Sequence, residues 1–305
     1  MGIFLRLSIS IKNLLLSPSL ICLCALPIVT NCQKRPAKSL SVLGSNSDCY
    51  YYERDRFDIE ESFILLGQSA SGKKIKSDLS NLKKLQFKTF SDLSKQEIKK
   101  SNLNVERSFA AYLPPSLTKN NVPTLAYKKK TPLYIFTLIL AHEAQHYIDS
   151  NVEWTKILFD ERKSLVSVSN QKNNSRDTNI NAAEAFELAL GLKFLRTVML
   201  EYKGFSAAAA VKESLEDKIK CLGGVWSKFN DKNNIPMIDP RLSTEDTKKL
   251  IELYVWGGNN RRLQLGVDYV RKNRDILNAF KEDRIILDKV SDALRLIAAS
   301  QKLKR

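Results

Sequence analysis

The spacing of hydrophobic and polar positions divides the chain into two parts of different character. Before residue 130, short β-rich runs alternate with a few helical stretches. The predicted strands lie at 49–52, 85–90, 108–113 and 122–127. Beyond residue 130, apolar positions recur at helical spacing between loops rich in Asn, Asp, Gly and Pro. The predicted helices are 132–149, 152–166, 177–202, 207–222, 244–256 and 275–302. The pattern therefore predicts an α+β fold, a small N-terminal sheet followed by a helical majority.

The N-terminal segment has the pattern of an export signal. Arg6 and Lys12 precede an apolar stretch at 14–29 that two prolines interrupt. A helix needs about 20 apolar residues to span a bilayer, so this stretch is too short and too proline-rich for that role. It fits a signal peptide that is removed from the mature chain.

The five residues that end at Cys32 read Ile-Val-Thr-Asn-Cys. They resemble a relaxed bacterial lipobox, in which the cysteine becomes the lipidated first residue of the mature protein. The resemblance implies a signal peptide at 1–31, a polar tether at 32–47 and a membrane anchor at Cys32. It also implies export to the bacterial cell envelope, with the outer membrane as one destination. A plain signal peptide cut elsewhere and an uncleaved anchor remain alternatives.

Two cysteines belong to the part of the chain that should fold, Cys49 and Cys221. Export would expose them to an oxidising compartment, where disulfides form and persist. A disulfide between them is therefore one prediction. Two unpaired thiols are the alternative, because the pairing cannot be deduced from spacing alone.

The net charge of +16 raises the question of a nucleic-acid partner. Lys and Arg drive such binding by neutralising phosphates. Here the basic residues are mostly Lys, mixed with acids on predicted helix faces, and the densest runs, 128–130 and 302–305, are short. They lack the interleaved aromatic residues on which bases stack. We therefore expect a solvated, Lys-rich surface and no nucleic-acid partner.

Candidate chemistry is concentrated at residues 142–146, which read His-Glu-Ala-Gln-His. Residues four apart share one face of a helix, so His142 and His146 can reach the same metal ion. They are the two histidines of the chain. The preceding run, 133–141, is apolar nearly all round, which predicts a buried helix. Buried polar groups need a balancing partner, which a metal ion would provide. Two ordinary core histidines are the alternative.

This motif resembles the active-site helix of the zincin metallopeptidases, and of their gluzincin branch in particular. The third histidine of the metzincin branch is not present. The resemblance implies Zn²⁺ as the cofactor, Glu143 as the catalytic base and a downstream Glu as the third ligand. We expect that ligand to be Glu184, which lies on a predicted helix that is apolar on almost every face. Asp149, Asp160 and Glu161 are further candidates for the third ligand.

Further roles follow from the same resemblance. Glu187 or Asp149 would orient an imidazole from behind, as carboxylates do around zinc-binding histidines. The segment 122–127 would be the edge strand along which the substrate lies. A tyrosine would stabilise the oxyanion of the reaction. The candidates for that role are Tyr202, Tyr254 and Tyr269.

Two His and one Glu leave a fourth zinc position for water, which is typical of catalytic sites. The expected function is zinc-dependent hydrolysis of a peptide or protein substrate at the cell envelope, with Glu143 activating the water. Residues 48–305 would form one metallopeptidase-like domain, mixed at 48–130 and helical at 131–305. The alternatives are a lipid-anchored, non-enzymatic binding protein or adhesin on the same scaffold, and a zinc hydrolase that acts on a non-peptide bond. Glu143 favours the enzyme, because holding zinc does not require it. The sequence predicts no oligomeric state.

Overall fold

The computed structural model describes residues 49–55, 59–82, 85–106, 108–170, 181–233, 238–255 and 259–302. The predicted signal peptide, Cys32 and the tether lie outside these residues. Within the described ranges, no helix is long and apolar enough to cross a membrane.

The first half of the described chain contains a small sheet and four helices. The elements are α1 (Cys49–Glu53), α2 (Ile59–Leu66), α3 (Ala70–Ser80), β1 (Gln86–Thr89), α4 (Lys95–Ser101), β2 (Ala110–Leu113) and β3 (Thr124–Tyr127). The predicted sheet is confirmed at three of its four strands. The prediction of a strand at 49–52 was wrong, because these residues form α1, whose Tyr52 is fully buried.

The three strands lie in the order β1-β3-β2, with β3 parallel to β1 and antiparallel to β2. The strand β3 is hydrogen-bonded on both sides, so its backbone has no free edge for another strand. This corrects the expectation that 122–127 is an edge strand. The free edge next to the histidine-bearing helix belongs to β2, whose Tyr112 is opposite Leu125 of β3.

The rest of the described chain is helical. The elements are α5 (Leu133–Asp149), α6 (Glu153–Asn170), α7 (Ala182–Lys218), α8 (Leu222–Asn233), α9 (Thr244–Tyr254), α10 (Asn260–Lys272), α11 (Arg274–Ala279) and α12 (Arg284–Lys302). The helical majority is therefore confirmed. The two helices predicted at 177–202 and 207–222 are a single helix of 37 residues, α7. Helices α8 and α10 were not predicted.

Helix α7 connects two hydrophobic clusters, and α5, α6 and α10 pack along it. Its first half contributes Leu192 and Leu195 to a cluster with α6 and the C-terminal helices. Its second half contributes Val211 and Leu215 to a cluster with α5, the sheet and the N-terminal helices. Because both halves are anchored in a core, packing fixes the position of α7 beside α5.

A disulfide joins Cys49 of α1 to Cys221, which directly precedes α8. The two Cα atoms are 5.9 Å apart, across a sequence separation of 172 residues. A cross-link that closes so long a loop restricts the unfolded chain, which stabilises the fold by about 2–5 kcal/mol. The structure thus contains the pairing that the sequence left as one of two possibilities.

Candidate metal centre

Helices α5 and α7 bring three metal-binding side chains together. His142 and His146 are one turn apart on α5, with their ring centroids 4.5 Å apart. Glu201 faces them from α7, its two oxygens 3.3 Å from Nε2 of His142 and 3.6 Å from Nε2 of His146. One ligand atom from each residue lies within 4.8 Å of the others. Two nitrogens and one carboxylate oxygen at this spacing could hold a metal ion.

Burial and hydrogen bonding support that role. The side chains of His146 and Glu201 are 8% and 4% exposed. Neither ring nitrogen of His146 has a hydrogen-bond partner among the described residues. Buried polar atoms are nearly always paired, because leaving water without a partner costs about 1–3 kcal/mol. A bound cation would satisfy this imidazole, and two His with one Glu is a donor set found at metal sites of proteins.

Glu184 is not at this site, which corrects the expectation that it is the third ligand. It is exposed at the start of α7, where it forms a reciprocal capping box with Asn181. At about 1.5 Å per residue, it lies about 25 Å along the helix from Glu201. Glu187 is also remote, in an ion pair with Arg262 at 2.7 Å.

Asp160 and Glu161, two further candidates for the third ligand, lie outside the metal-binding group. Asp160 is exposed on α6, and Glu161 accepts a hydrogen bond from Tyr269 at 3.0 Å. The signal for Glu201 is present in the sequence, because it lies in an apolar stretch and is followed three residues later by Gly204. The predicted helix ended at residue 202, so Glu201 stood at a helix terminus and was not chosen as a candidate ligand.

Asp149 is buried one turn after His146, but it pairs with a cation instead of an imidazole. Its carboxylate lies 2.9 Å from Nζ of Lys203 and accepts a hydrogen bond from Gln145 at 3.0 Å. Lys203 also binds Asp283 at 2.9 Å, and Asp283 accepts a hydrogen bond from the indole of Trp154 at 2.7 Å. This network corrects the expected role of Asp149 and ties α5 and α7 to the C-terminal part of the chain.

Replacing Lys203 with methionine should lower the free energy of unfolding by about 3–5 kcal/mol. The change leaves two largely buried carboxylates, Asp149 and Asp283, without their cation. Urea denaturation followed by circular dichroism would measure it. The matched control is Lys228→Met, because Lys228 is 72% exposed in its ion pair with Glu53 and should contribute at most about 1 kcal/mol. Equal losses in the two variants would contradict the importance of the network.

Gly204 allows the ring of His142 to lie directly against α7. A Cβ atom at this position would lie 2.8 to 3.0 Å from Cε1, Nδ1 and Nε2 of His142. Glycine inside a helix costs about 1 kcal/mol of stability relative to alanine, and the contact between α7 and the His142 ring offsets this local cost. The ring of Phe205 packs edge-on against the same imidazole at 4.7 Å. Burial favours the neutral imidazole, yet the hydrogen bond and charge of Glu201 raise the pKa of His142.

The Gly204→Ala variant should bind zinc about 10- to 100-fold more weakly, the range seen when groups that orient a ligand are altered. The added methyl group would displace the His142 ring, although alanine favours the helix. Competition with a chromophoric chelator would measure the affinity. In the control, Gly223→Ala, the new Cβ meets no heavy atom within 4 Å, so zinc affinity should not change. Unchanged affinity in Gly204→Ala would show that the contact does not position His142.

Glu143 is fixed between the metal-binding group and the edge strand. Its Oε2 accepts a hydrogen bond from the backbone N–H of Tyr112 in β2 at 2.8 Å. The side chain is buried, and burial raises the pKa of Glu143 to about 7, with His142 lowering it and Glu201 raising it. A carboxyl group that titrates near neutral pH is suited to accepting and donating protons during catalysis.

The structure distinguishes the three tyrosines. The hydroxyl of Tyr202 donates to the carbonyl of Pro240 at 2.9 Å, and that of Tyr269 is bound to Glu161. Tyr254, at the end of α9, interacts with Glu201 and Glu143. Burial and these two carboxylates raise the pKa of Tyr254 well above its usual value. Of the three candidates, Tyr254 is therefore the one at the metal-binding group.

A cavity of about 550 Å³ adjoins His142 and Glu143. Its walls come mainly from α5, α7 and residues 238–242, and most of their surface is apolar. They include Ile135, Leu138, Phe205 and Trp226. Concave, mostly apolar spaces of this size with a few convergent polar groups are typical of ligand sites.

Comparisons with protein families, with characterised proteins and with solved structures found no significant match to this chain. Fold and site together define a mostly helical protein with a His–His–Glu group that could hold a metal ion.

Proposed function

We propose that this protein is a zinc-dependent peptidase of the bacterial cell envelope. The observation that carries the proposal is the convergence of His142, His146 and Glu201 within 4.8 Å, with Glu143 buried beside them. Three protein ligands leave one zinc position for water and substrate, which is the catalytic arrangement. The resemblance to gluzincins supports it as well, with Glu201 of α7 taking the place that Glu184 was expected to fill.

Each residue of the site has a separate role in hydrolysis. A zinc ion held by the triad would supply the Lewis acid that polarises a peptide carbonyl. Glu143 takes a proton from the attacking water and then delivers it to the leaving amine. The backbone N–H of Tyr112 holds one oxygen of Glu143, which leaves the other to face the water. The Tyr254 hydroxyl, which is hydrogen-bonded to Glu201 in this structure, would transfer its hydrogen bond to the carbonyl oxygen as negative charge develops there.

The disulfide between Cys49 and Cys221 supports export, because such bonds persist in oxidising compartments and are rare in the bacterial cytosol. Export agrees with the signal peptide and the lipid anchor at Cys32 that the sequence predicts. The proposed location is therefore the cell envelope, with the folded part joined to the membrane through the tether at 32–47.

The direct test is metal analysis followed by peptide cleavage with the disulfide-bonded chain from residue 48 onward. We expect about one zinc per chain, and cleavage of a mixed peptide library that EDTA abolishes and added zinc restores. Failure to bind zinc after reconstitution would overturn the proposal. Tight zinc binding without cleavage of any peptide would favour the non-enzymatic binding protein instead.

A further inference from the structure

The cavity beside His142 and Glu143 extends well beyond the metal-binding group. Its lining residues on α7 recur at helical spacing (i, i+3, i+4, i+7) from Phe205 to Asp217, so they share one face of that helix. Those on α5 recur in the same way from Ile135 to Glu143. At about 1.5 Å per residue, the α7 face is about 18 Å long. The cavity is therefore an elongated groove, with the metal-binding group at one end.

The chemistry of the groove changes along its length. Next to the metal-binding group, the α7 residues that line it are one Phe and two Ala, at positions 205, 208 and 209. Every lining residue of α7 beyond them, from Lys212 to Asp217, is charged. The hydroxyl of Tyr134, at the start of α5, donates to Glu216 at 2.9 Å, so this charged end lies about two turns of α5 away from His142. The groove thus runs from an apolar end at the metal-binding group to a charged end.

Carboxylates outnumber cations among the side chains that line the groove, five to two. The carboxylates are Glu213, Glu216, Asp217, Asp239 and Asp246. Both cations already bind carboxylates of this set, Lys212 at 2.7 Å from Glu216 and Arg241 at 2.8 Å from Asp239. The groove therefore has the opposite sign to the whole chain, whose net charge is +16. A cation on a ligand would complement it.

The outer carboxylates are open to such a ligand. Glu213 is 70% exposed, and its contact with Arg241 is 3.3 Å long. Asp217 is exposed as well, one turn farther along the same face of α7. Like charges one turn apart repel each other, and a negative charge in the last turn of a helix opposes the helix dipole. A bound cation would offset both local costs.

We propose that the groove binds a segment of the peptide substrate that is apolar next to the cleaved bond and basic about five to seven residues farther on. This inference rests on the proposed function. Glu213 and Asp217 lie about 18 and 24 Å along α7 from Glu201, and an extended peptide covers about 3.3 Å per residue. An acyl chain of the same length would place its apolar end against the carboxylates, which would lose their water without gaining a partner.

Binding of four decapeptides to the zinc-bound Glu143→Gln protein tests the proposal without cleavage. All are N-acetylated and C-amidated. The Lys form has four apolar residues, four Gly or Ser residues and a terminal pair of Lys. In the Gln and Glu forms these replace the Lys pair, and in the Ser form serine replaces the apolar residues. Each peptide is made in both chain directions, because the direction of binding in the groove is part of the answer.

We expect the Lys form to bind about 5- to 30-fold more tightly than the Gln form in calorimetry at low ionic strength, with the Glu form weaker still. This preference should shrink in high salt, because salt screens exposed charges. The Ser form should bind about 100-fold more weakly than the Lys form or worse, since each apolar side chain that is buried contributes about 10-fold or more.

A double variant in the same background assigns the charge preference to the groove. Glu213→Gln with Asp217→Asn should remove most of the preference for Lys and leave the affinity for the Gln form unchanged. The matched control is Glu60→Gln with Asp160→Asn, which makes the same change in net charge at exposed positions outside the groove. It should keep the preference.

A groove-filling variant tests the apolar end separately. Ala209→Trp places a large side chain in the groove and should weaken the Lys and Gln forms about 10-fold or more, while the zinc content stays at the parent level. Ala299→Trp makes the same change at an exposed position of α12 and should have no effect on binding.

Equal binding of the Lys, Gln and Glu forms would overturn the proposal. A preference for Lys that survives in the double variant would overturn it too, as would peptide binding that Ala209→Trp leaves unchanged. Displacement of the Lys form by the fatty acid myristate at lower concentration than by free peptide would assign the groove to acyl chains instead. The proposed function has its own readouts, zinc content and cleavage. A protein that binds the Lys form through the groove but cleaves nothing would retain the groove's role and lose the peptidase.

Discussion

Replacing Glu201 with alanine should weaken zinc binding by about 100-fold or more, whereas Glu184→Ala should leave it unchanged. Zinc sites provide about 10–16 kcal/mol of apparent binding free energy over four ligands, so one ligand accounts for several kcal/mol. Glu201 is the carboxylate within reach of both imidazoles, and Glu184 is a helix cap about 25 Å away. Chelator competition, with metal analysis of the purified proteins, would measure the two affinities.

The pair of variants separates ligand loss from loss of structure. Glu184→Ala removes a cap and should cost about 1 kcal/mol of stability without affecting zinc. Circular dichroism of Glu201→Ala should show the parent's helix content, because the cores on both halves of α7 remain. Zinc affinity that falls in Glu184→Ala and persists in Glu201→Ala would refute the assignment made from the structure and restore the one made from the sequence.

The Glu143→Gln variant should lose about 10²- to 10⁴-fold in kcat while it keeps about one zinc per chain, as expected when a general base is removed. Glutamine has nearly the same shape and can still accept the hydrogen bond from the backbone N–H of Tyr112. It cannot accept a proton from water. Steady-state cleavage of a peptide found in the library screen, together with the zinc content of the same sample, would test both parts.

Glu187→Gln is the control for this prediction. It makes the same chemical change on a partly exposed carboxylate that pairs with Arg262 at the surface of α7. Cleavage and zinc content should both remain at the parent level. A Glu143→Gln enzyme with full activity would exclude Glu143 as the base. If the variant lost zinc together with activity, Glu143 would instead be a residue that maintains the metal-binding group.

Whether a sequence prediction succeeded depended on how far apart in the chain the interacting residues lie. The α5 motif was visible because residues four apart share a helix face, whatever the rest of the chain does. Strands β1 to β3 and the long helices were visible from their hydrophobic periodicity. The α1 prediction failed because Tyr-rich runs suit either a strand or a packed helix, and burial of Tyr52 decides in favour of the helix.

The third ligand could not be identified from local sequence patterns. Glu184 was attractive because the predicted helix around it is apolar on almost every face, but it lies in the exposed first turn of α7. Residues 203–206 were predicted to separate two helices, yet they lie inside α7, where Gly204 allows the ring of His142 to approach the helix. A glycine in a helical pattern can either end a helix or allow close packing of a neighbouring element. Only the residue that contacts it across the interface distinguishes the two cases.

By itself, the sequence determined the α+β class, the helix that carries His142, Glu143 and His146, and the chemistry available there. These features depend on residue type and on spacing within one element. The tertiary structure decided that Glu201 completes the group, that β2 forms the free edge beside Glu143 and that Tyr254 lies at the same group. Each of these depends on how far one element slides along another. That register results from packing in two cores and from contacts between residues distant in sequence, which no local pattern encodes.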